Sequence, residues 1–259
     1  MAEFLAIVPA RYASTRFPGK PLIDIGGKPM VVRVAEQARL SQASRVVVAT
    51  DDARIAAACE AHGVEVVMTS SDHPTGTDRL SETAAKLGLS AQTIVVNVQG
   101  DEPFIPPEAI NLVARTLAQH PRAGMATVGH AMTEREEFFN PNVVKLVQNA
   151  AGEAIYFSRA PIPYARDAFA SDSSKGGALP SALANRAIRH VGLYAYRAGF
   201  LKEFPTWPVG TLEALESLEQ LRALERGVVI AVARLDAPLP PGIDTPEDYE
   251  KLSIKFKNA

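Results

Sequence analysis

The sequence predicts an α/β fold: a three-layer αβα sandwich around a mostly parallel sheet. Short β-branched runs alternate with helix-period segments throughout the first half of the chain. Those runs are continuously apolar, as in parallel strands covered on both faces. With 259 residues, 47% of them hydrophobic, the chain is long enough to bury a substantial core. Strand–helix–strand repetition implies right-handed crossovers that lay helices on both faces of the sheet.

In chain order, strands are expected at Leu5–Val8, Arg45–Ala49, Val64–Met68, Ile94–Val98 and Met125–Gly129. Helical spacing marks Val31–Leu40, Ala53–His62, Asp78–Leu87 and Pro107–Gln119. Asp51 and Asp52 suit a helix start and Gly63 its stop. Beyond Pro141 the pattern loosens. Val143–Gln148 and Ala154–Phe157 read as strands around the turn Asn149–Gly152, and Ile188–Tyr196 as another strand. Thr211–Arg226 reads as one helix and Val228–Leu235 as a closing strand. The expected organisation is a single domain over 1–259, in which about 141–210 forms an inserted subdomain.

Composition excludes several classes of function. A formal charge of −2, with both signs interspersed, gives no bulk attraction to nucleic acid or to an anionic membrane. The single cysteine, Cys59, lies in a helical apolar run and cannot form an intramolecular disulfide. Met1-Ala2-Glu3-Phe4 lacks the basic start of a signal peptide, and the apolar run stops at Pro9. No stretch has the length of a membrane span. A reducing cytoplasm fits these features.

Chemistry is carried by the segments that follow strands, since ligands of open α/β sheets bind beyond the strands' carboxyl ends. The first strand runs into Pro9-Ala10-Arg11-Tyr12-Ala13-Ser14-Thr15-Arg16-Phe17-Pro18-Gly19-Lys20-Pro21. This is neither a dinucleotide fingerprint nor a Walker A loop, because Gly19-Lys20 is followed by proline. Its cations and hydroxyls can nonetheless neutralise and hold a triphosphate. The fourth strand ends in Gln99-Gly100-Asp101-Glu102-Pro103, where Asp101 either binds Mg²⁺ or caps the Pro107 helix. Asp244, in Ile243-Asp244-Thr245-Pro246, is likewise a metal ligand or a helix cap. Gly76-Thr77-Asp78-Arg79 opens a helix whose amides can meet an anion or a base edge, unless Thr77 serves only as its cap. Arg159 can grip a carboxylate with its planar fork, although an internal ion pair is the commoner fate of an arginine so placed. Glu213, Glu216 and Gln220 share one face of the expected Thr211 helix, for which a solvated face is the ordinary reading. No Ser/His/Asp or Cys/His arrangement is legible, so the chemistry is read as direct displacement at phosphorus, without a covalent intermediate.

Assembled, these segments resemble the CMP-Kdo synthetases, or 3-deoxy-manno-octulosonate cytidylyltransferases. The similarity runs from about Ala6 to Tyr249: PARYASTRFPGKPL at 9–22, GTDR at 76–79, VNVQGDEP at 96–103, FSRAPIP at 157–163, RHVGLYAYR at 189–197, LEQLR at 218–222 and IDTPEDY at 243–249. The resemblance implies a Rossmann-like nucleotidyltransferase with an inserted sugar-binding and dimerisation subdomain, working as a cytoplasmic homodimer. It implies CTP and Kdo as substrates, CMP-Kdo and pyrophosphate as products, Mg²⁺ as cofactor, and a role in lipopolysaccharide synthesis. Residue by residue, it assigns Ala10, Arg11, Ser14 and Lys20, with Gly76, Thr77 and Arg79, to the nucleotide. Arg11, Lys20 and Asp101 become catalytic, and Asp101 and Asp244 metal ligands. Gln99, Arg159, His190, Glu213, Glu216 and Gln220 fall to the sugar acid. Phe17 stands where the family usually has leucine, and Ser171–Ala184 is longer and more polar than expected. Two alternatives remain: a related enzyme for sialic acid or 8-amino-Kdo, and a nucleotide-binding regulator without catalysis.

Overall fold

The structure is a computed structural model, and it describes residues 3–13, 17–171 and 176–257. The described elements are β1 (Phe4–Ala10), α1 (Met30–Arg39), β2 (Arg45–Thr50), α2 (Ala53–Glu60), β3 (Glu65–Met68), α3 (Gly76–Lys86), β4 (Ile94–Asn97) and α4 (Pro107–Gln119). There follow β5 (Ala123–Ala131), α5 (Arg135–Phe139), β6 (Lys145–Gln148), β7 (Ala154–Ser158), α6 (Arg166–Ser171), β8 (Ile188–Arg197) and α7 (Ala198–Glu203). The chain closes with α8 (Thr211–Glu216), α9 (Gln220–Glu225), β9 (Val229–Leu235) and α10 (Pro246–Lys257). It divides into two compact units. The first comprises Met1–Arg115, Ala195–Thr206 and Leu239–Ala259; the second comprises Thr116–Tyr194 and Trp207–Pro238.

In the first unit the strands run in the order β3-β2-β1-β4, with β1 parallel to both neighbours and β2 parallel to β3. Residues 4–8 of β1 and 46–50 of β2 are all buried, which explains their unbroken apolar runs. The chain steps from β1 outward to β2 and β3, then crosses back through α3 to place β4 on the other flank of β1. That reversal opens a crevice at the carboxyl ends of β1 and β4. Gly100 is required there, because a Cβ on it would lie 2.6 Å from the Pro9 carbonyl oxygen. Asp52 caps α2, accepting from the Arg54 amide at 2.9 Å. Gly63, at φ 64°, follows the helix in the left-handed region.

The second unit places β5 between β8 and β9, with β5 and β9 parallel. β6 pairs antiparallel with both β7 and β8. Phe138, Phe169, Met132, Leu183 and Ala187 form its own apolar cluster. One expectation is corrected here. The segment read as a single helix from Thr211 to Arg226 is two short ones, broken where Ser217 takes φ 51° and ψ 50°. The break lets the Glu216 carbonyl accept from Arg159 Nε at 2.6 Å instead of continuing a helical ladder. Glu213, Glu216 and Gln220 therefore do not share one helix face.

Candidate active site

The first unit's crevice is a cleft of about 260 Å³ lined by Pro9, Ala10, Arg11, Lys20, Pro21, His73, Pro74, Thr75, Gly76, Arg79, Gln99, Gly100, Asp101 and Asp244. Three of the segments singled out in the sequence converge there, joined by Asp244 from far along the chain. Ser14 lies outside the described residues.

Local structure fixes each contributor. The loop after β1 closes on itself, the Gly19 amide donating to the Tyr12 carbonyl at 3.1 Å. Gly19 sits at φ 73°, packed against the Tyr12 ring, which in turn carries the Arg54 guanidinium 3.4 Å from its centroid. Lys20 begins a single 3₁₀ turn, Lys20–Leu22. Phe17 packs with Ile23, Phe104 and Tyr249 against Ile25, Met30 and Ile243. The phenylalanine at the family's leucine position is thus part of an apolar support under the loop.

Lys20 Nζ donates to Asp101 Oδ2 at 2.8 Å and to Asp244 Oδ1 at 3.1 Å. One ammonium therefore marks the point on which both carboxylates converge. The Ile243 amide donates to the Asp101 carbonyl at 2.8 Å, which draws the distant segment in. Asp244 does not cap α10. That task falls to Thr245, whose hydroxyl accepts from the Asp248 amide while the Asp248 carboxylate accepts from the Thr245 amide. Beside the pair lies Glu102, its pKa pushed up to about 7, first by burial and then by the charges of Asp101 and Asp244. Its Oε2 is buried without a partner. The field at this corner of the cleft is that of clustered carboxylates, which favours a cation.

On the opposite wall, α3 is capped by Thr75, reciprocally with Asp78, so Thr77 is not its cap. Gly76 reaches the cleft at the helix N-terminus, where free amides favour anionic or acceptor groups. Thr77 is buried. Arg79 is almost wholly buried, with its guanidinium 3.3 Å from Asp51 Oδ2 and bonded to Thr69 Oγ1. His73 also lines the cleft, held through Nε2 by Glu82. In the sequence its one signal is its position between β3 and α3, where segments that follow strands reach the cleft.

Of the residues assigned to the sugar acid, Gln99 lines the cleft. The others belong to the second unit. Arg159 donates from Nε to the Glu216 carbonyl and from a terminal nitrogen to the Pro141 carbonyl at 3.0 Å. Glu216 accepts from Ser158 Oγ at 2.6 Å and from the Arg159 amide at 2.9 Å. Glu213 forms a buried two-pronged pair with Arg222, at 2.6 and 2.7 Å. Gln220 Nε2 is buried without a partner. His190 bonds to Thr127 Oγ1 at 3.1 Å, with its ring packed by Phe157 and Tyr194. Burial holds its pKa down at about 3, so the imidazole is neutral near pH 7.

A family signature described as "Cytidylyltransferase" matches residues 5–230. The chain is 57% identical over 252 residues to the 3-deoxy-manno-octulosonate cytidylyltransferase of Pseudomonas syringae pv. tomato, covering 97% of each chain. It belongs to the CMP-Kdo synthetase family. The P. syringae pv. syringae member matches equally, at 57% over 252 residues. A solved structure described as CMP:2-keto-3-deoxy-manno-octonic acid synthetase complexed with CTP superposes with a TM-score of 0.87 at 39% identity, covering 100% of both chains. A 4-diphosphocytidyl-2C-methyl-D-erythritol synthase, 14% identical over 99% of each chain with a TM-score of 0.61, shares the nucleotidyltransferase fold.

Proposed function

We propose that this protein is a 3-deoxy-manno-octulosonate cytidylyltransferase, which converts CTP and Kdo to CMP-Kdo and pyrophosphate for lipopolysaccharide synthesis. One observation carries the reading: Lys20, Asp101 and Asp244 meet at one point at the mouth of β1 and β4, in a member of this family. A sugar hydroxyl oxygen bonds to the α-phosphorus, the bond from that phosphorus to the pyrophosphate oxygen breaks, and the hydroxyl proton passes to solvent.

Lys20 supplies a point charge beside the negative charge that grows on the departing pyrophosphate. Arg11, at the rim, adds a second cation, and the amide end of α3 lies on the facing wall. The donor set fits Mg²⁺, which takes one or two carboxylates and completes its shell with phosphate oxygens and water. Asp101 and Asp244 would hold it, and the ion would neutralise phosphate charge and align the reacting groups. Arg159, with neutral His190 and Gln220, is read as facing the sugar acid; Glu216 holds Arg159, its carbonyl accepting from Nε and its carboxylate from the Arg159 amide, while Glu213 is paired with Arg222. The reading includes a cytoplasmic homodimer; no helix among the described residues is long and apolar enough to cross a membrane.

Pyrophosphate release should require CTP, Kdo and a divalent cation together. Equal turnover with ATP or UTP, or turnover without a sugar acid, would overturn the assignment.

A further inference from the structure

Asp51 follows β2, outside the cleft lining, and belongs to none of the groups that the proposed reaction uses. Its Oδ2 lies 3.3 Å from a terminal nitrogen of Arg79, and its Oδ1 is buried with no hydrogen-bond partner. A carboxylate so placed has little to offset its desolvation except the guanidinium beside it. Arg79 is held on its other terminal nitrogen by Thr69, itself buried, whose amide donates to the Thr50 carbonyl at 2.8 Å. The guanidinium is therefore pinned from two sides on one wall of the cleft, and it retains N–H donors beyond those two contacts.

This wall lies at the ends of β2 and β3, whereas Asp101 follows β4. Two to three strand spacings separate them, about 10–14 Å. That is the order of distance between the base of a nucleoside triphosphate and its outer phosphates. With Lys20 and the carboxylates at the phosphate end, Arg79 faces the base. A fixed pair of N–H donors suits cytosine, whose O2 and N3 both accept. Uracil offers an acceptor at O2 but an N–H at N3, so one donor would face another.

Resting on the reading of this cleft as the CTP site, we propose that Asp51, together with Thr69, is a positioning residue that fixes Arg79 for discrimination between cytosine and uracil. It acts through Arg79 and touches no reacting atom. Asp51→Asn keeps the size and removes the charge that aligns the guanidinium. Thr69→Val keeps the shape and removes the hydroxyl, and Thr69→Ser restores it.

The test measures steady-state kinetics with CTP and with UTP, at saturating Kdo and Mg²⁺, on variants whose melting shows that they are folded. Asp51→Asn and Thr69→Val should each raise KM for CTP about tenfold and lower the CTP-over-UTP preference by a similar factor, with KM for Kdo unchanged. Thr69→Ser should behave as wild type. In an Arg79→Lys background, Asp51→Asn should add little further loss, because the two residues act as one unit. Folded Asp51→Asn and Thr69→Val proteins with unaltered KM and preference would overturn the positioning role while leaving the cleft assignment intact. Should Asp51→Asn fail to fold, Thr69→Val against Thr69→Ser decides alone. Wild-type protein that does not use CTP would overturn the cleft assignment, and this proposal with it.

Discussion

Lys20 bonds two carboxylates more than eighty positions away from it in sequence, and at the scale of single residues that contact is the central fact of the site. Each carboxylate alone had an ordinary reading as a helix cap. The structure assigns the cap of α10 to Thr245 and Asp248, which leaves the Asp244 side chain for the cleft. Stability and activity should therefore separate. Asp101→Asn and Asp244→Asn should each lose about a hundredfold or more in kcat while melting near the wild-type temperature. Asp248→Ala should instead cost about 1 kcal/mol of stability and leave kcat nearly intact. Thermal melts beside steady-state rates check both halves, and an Asp244→Asn protein with full activity would remove Asp244 from the site. Arg11, Lys20, Gly76, Arg79, Gln99, Asp101 and Asp244 were legible because each follows a strand or opens a helix. His73 and Asp51 were not, because their meaning depends on which partners the fold brings to them.

Elements show the same limit on a larger scale. β1, β2 and β4 were legible as unbroken apolar runs, and the structure extends β1 by one residue before and two after its expected span. Their order in the sheet was not legible, since a crossover leaves no local mark on composition. Thr211–Arg226 misled because its helical spacing continues through Ser217, where tertiary demands win. Arg159 takes the Glu216 carbonyl, and Arg222 turns back to Glu213. Ser217 then holds a left-handed conformation that costs a non-glycine residue about 1 kcal/mol. Ser217→Gly should relieve that strain and raise stability by a few tenths to about 1 kcal/mol, measured by urea denaturation. Ser217→Val should destabilise, because a β-branched side chain resists positive φ. A Ser217→Gly protein destabilised by more than its wild-type parent's uncertainty would mean that the hydroxyl, not the backbone angle, sets the break.

For the whole molecule, the two compact units carry different candidate chemistries, and this gives the most discriminating prediction. The first unit holds the cationic loop, the paired carboxylates and the α3 amide end, all suited to a metal-bound triphosphate. Arg159 belongs to the second unit, where its guanidinium donates to two backbone carbonyls and keeps further N–H donors for a planar carboxylate. If the substrates divide in this way, substitutions should divide by substrate as well. Lys20→Ala leaves Asp101 and Asp244 facing each other without a counter-charge, so it should impair CTP, through a lower kcat or a higher KM for the nucleotide. Arg159→Ala should raise KM for Kdo while leaving CTP binding, measured by calorimetry without sugar, nearly unchanged. A charge-assisted hydrogen bond contributes a few kcal/mol, so each loss should fall between about tenfold and a thousandfold. Two steady-state titrations and one isotherm per variant provide the measurement. A folded Arg159→Ala protein that no longer bound CTP would place Arg159 with the nucleotide and overturn the division. A folded Lys20→Ala protein with normal CTP kinetics and a raised KM for Kdo would reverse it.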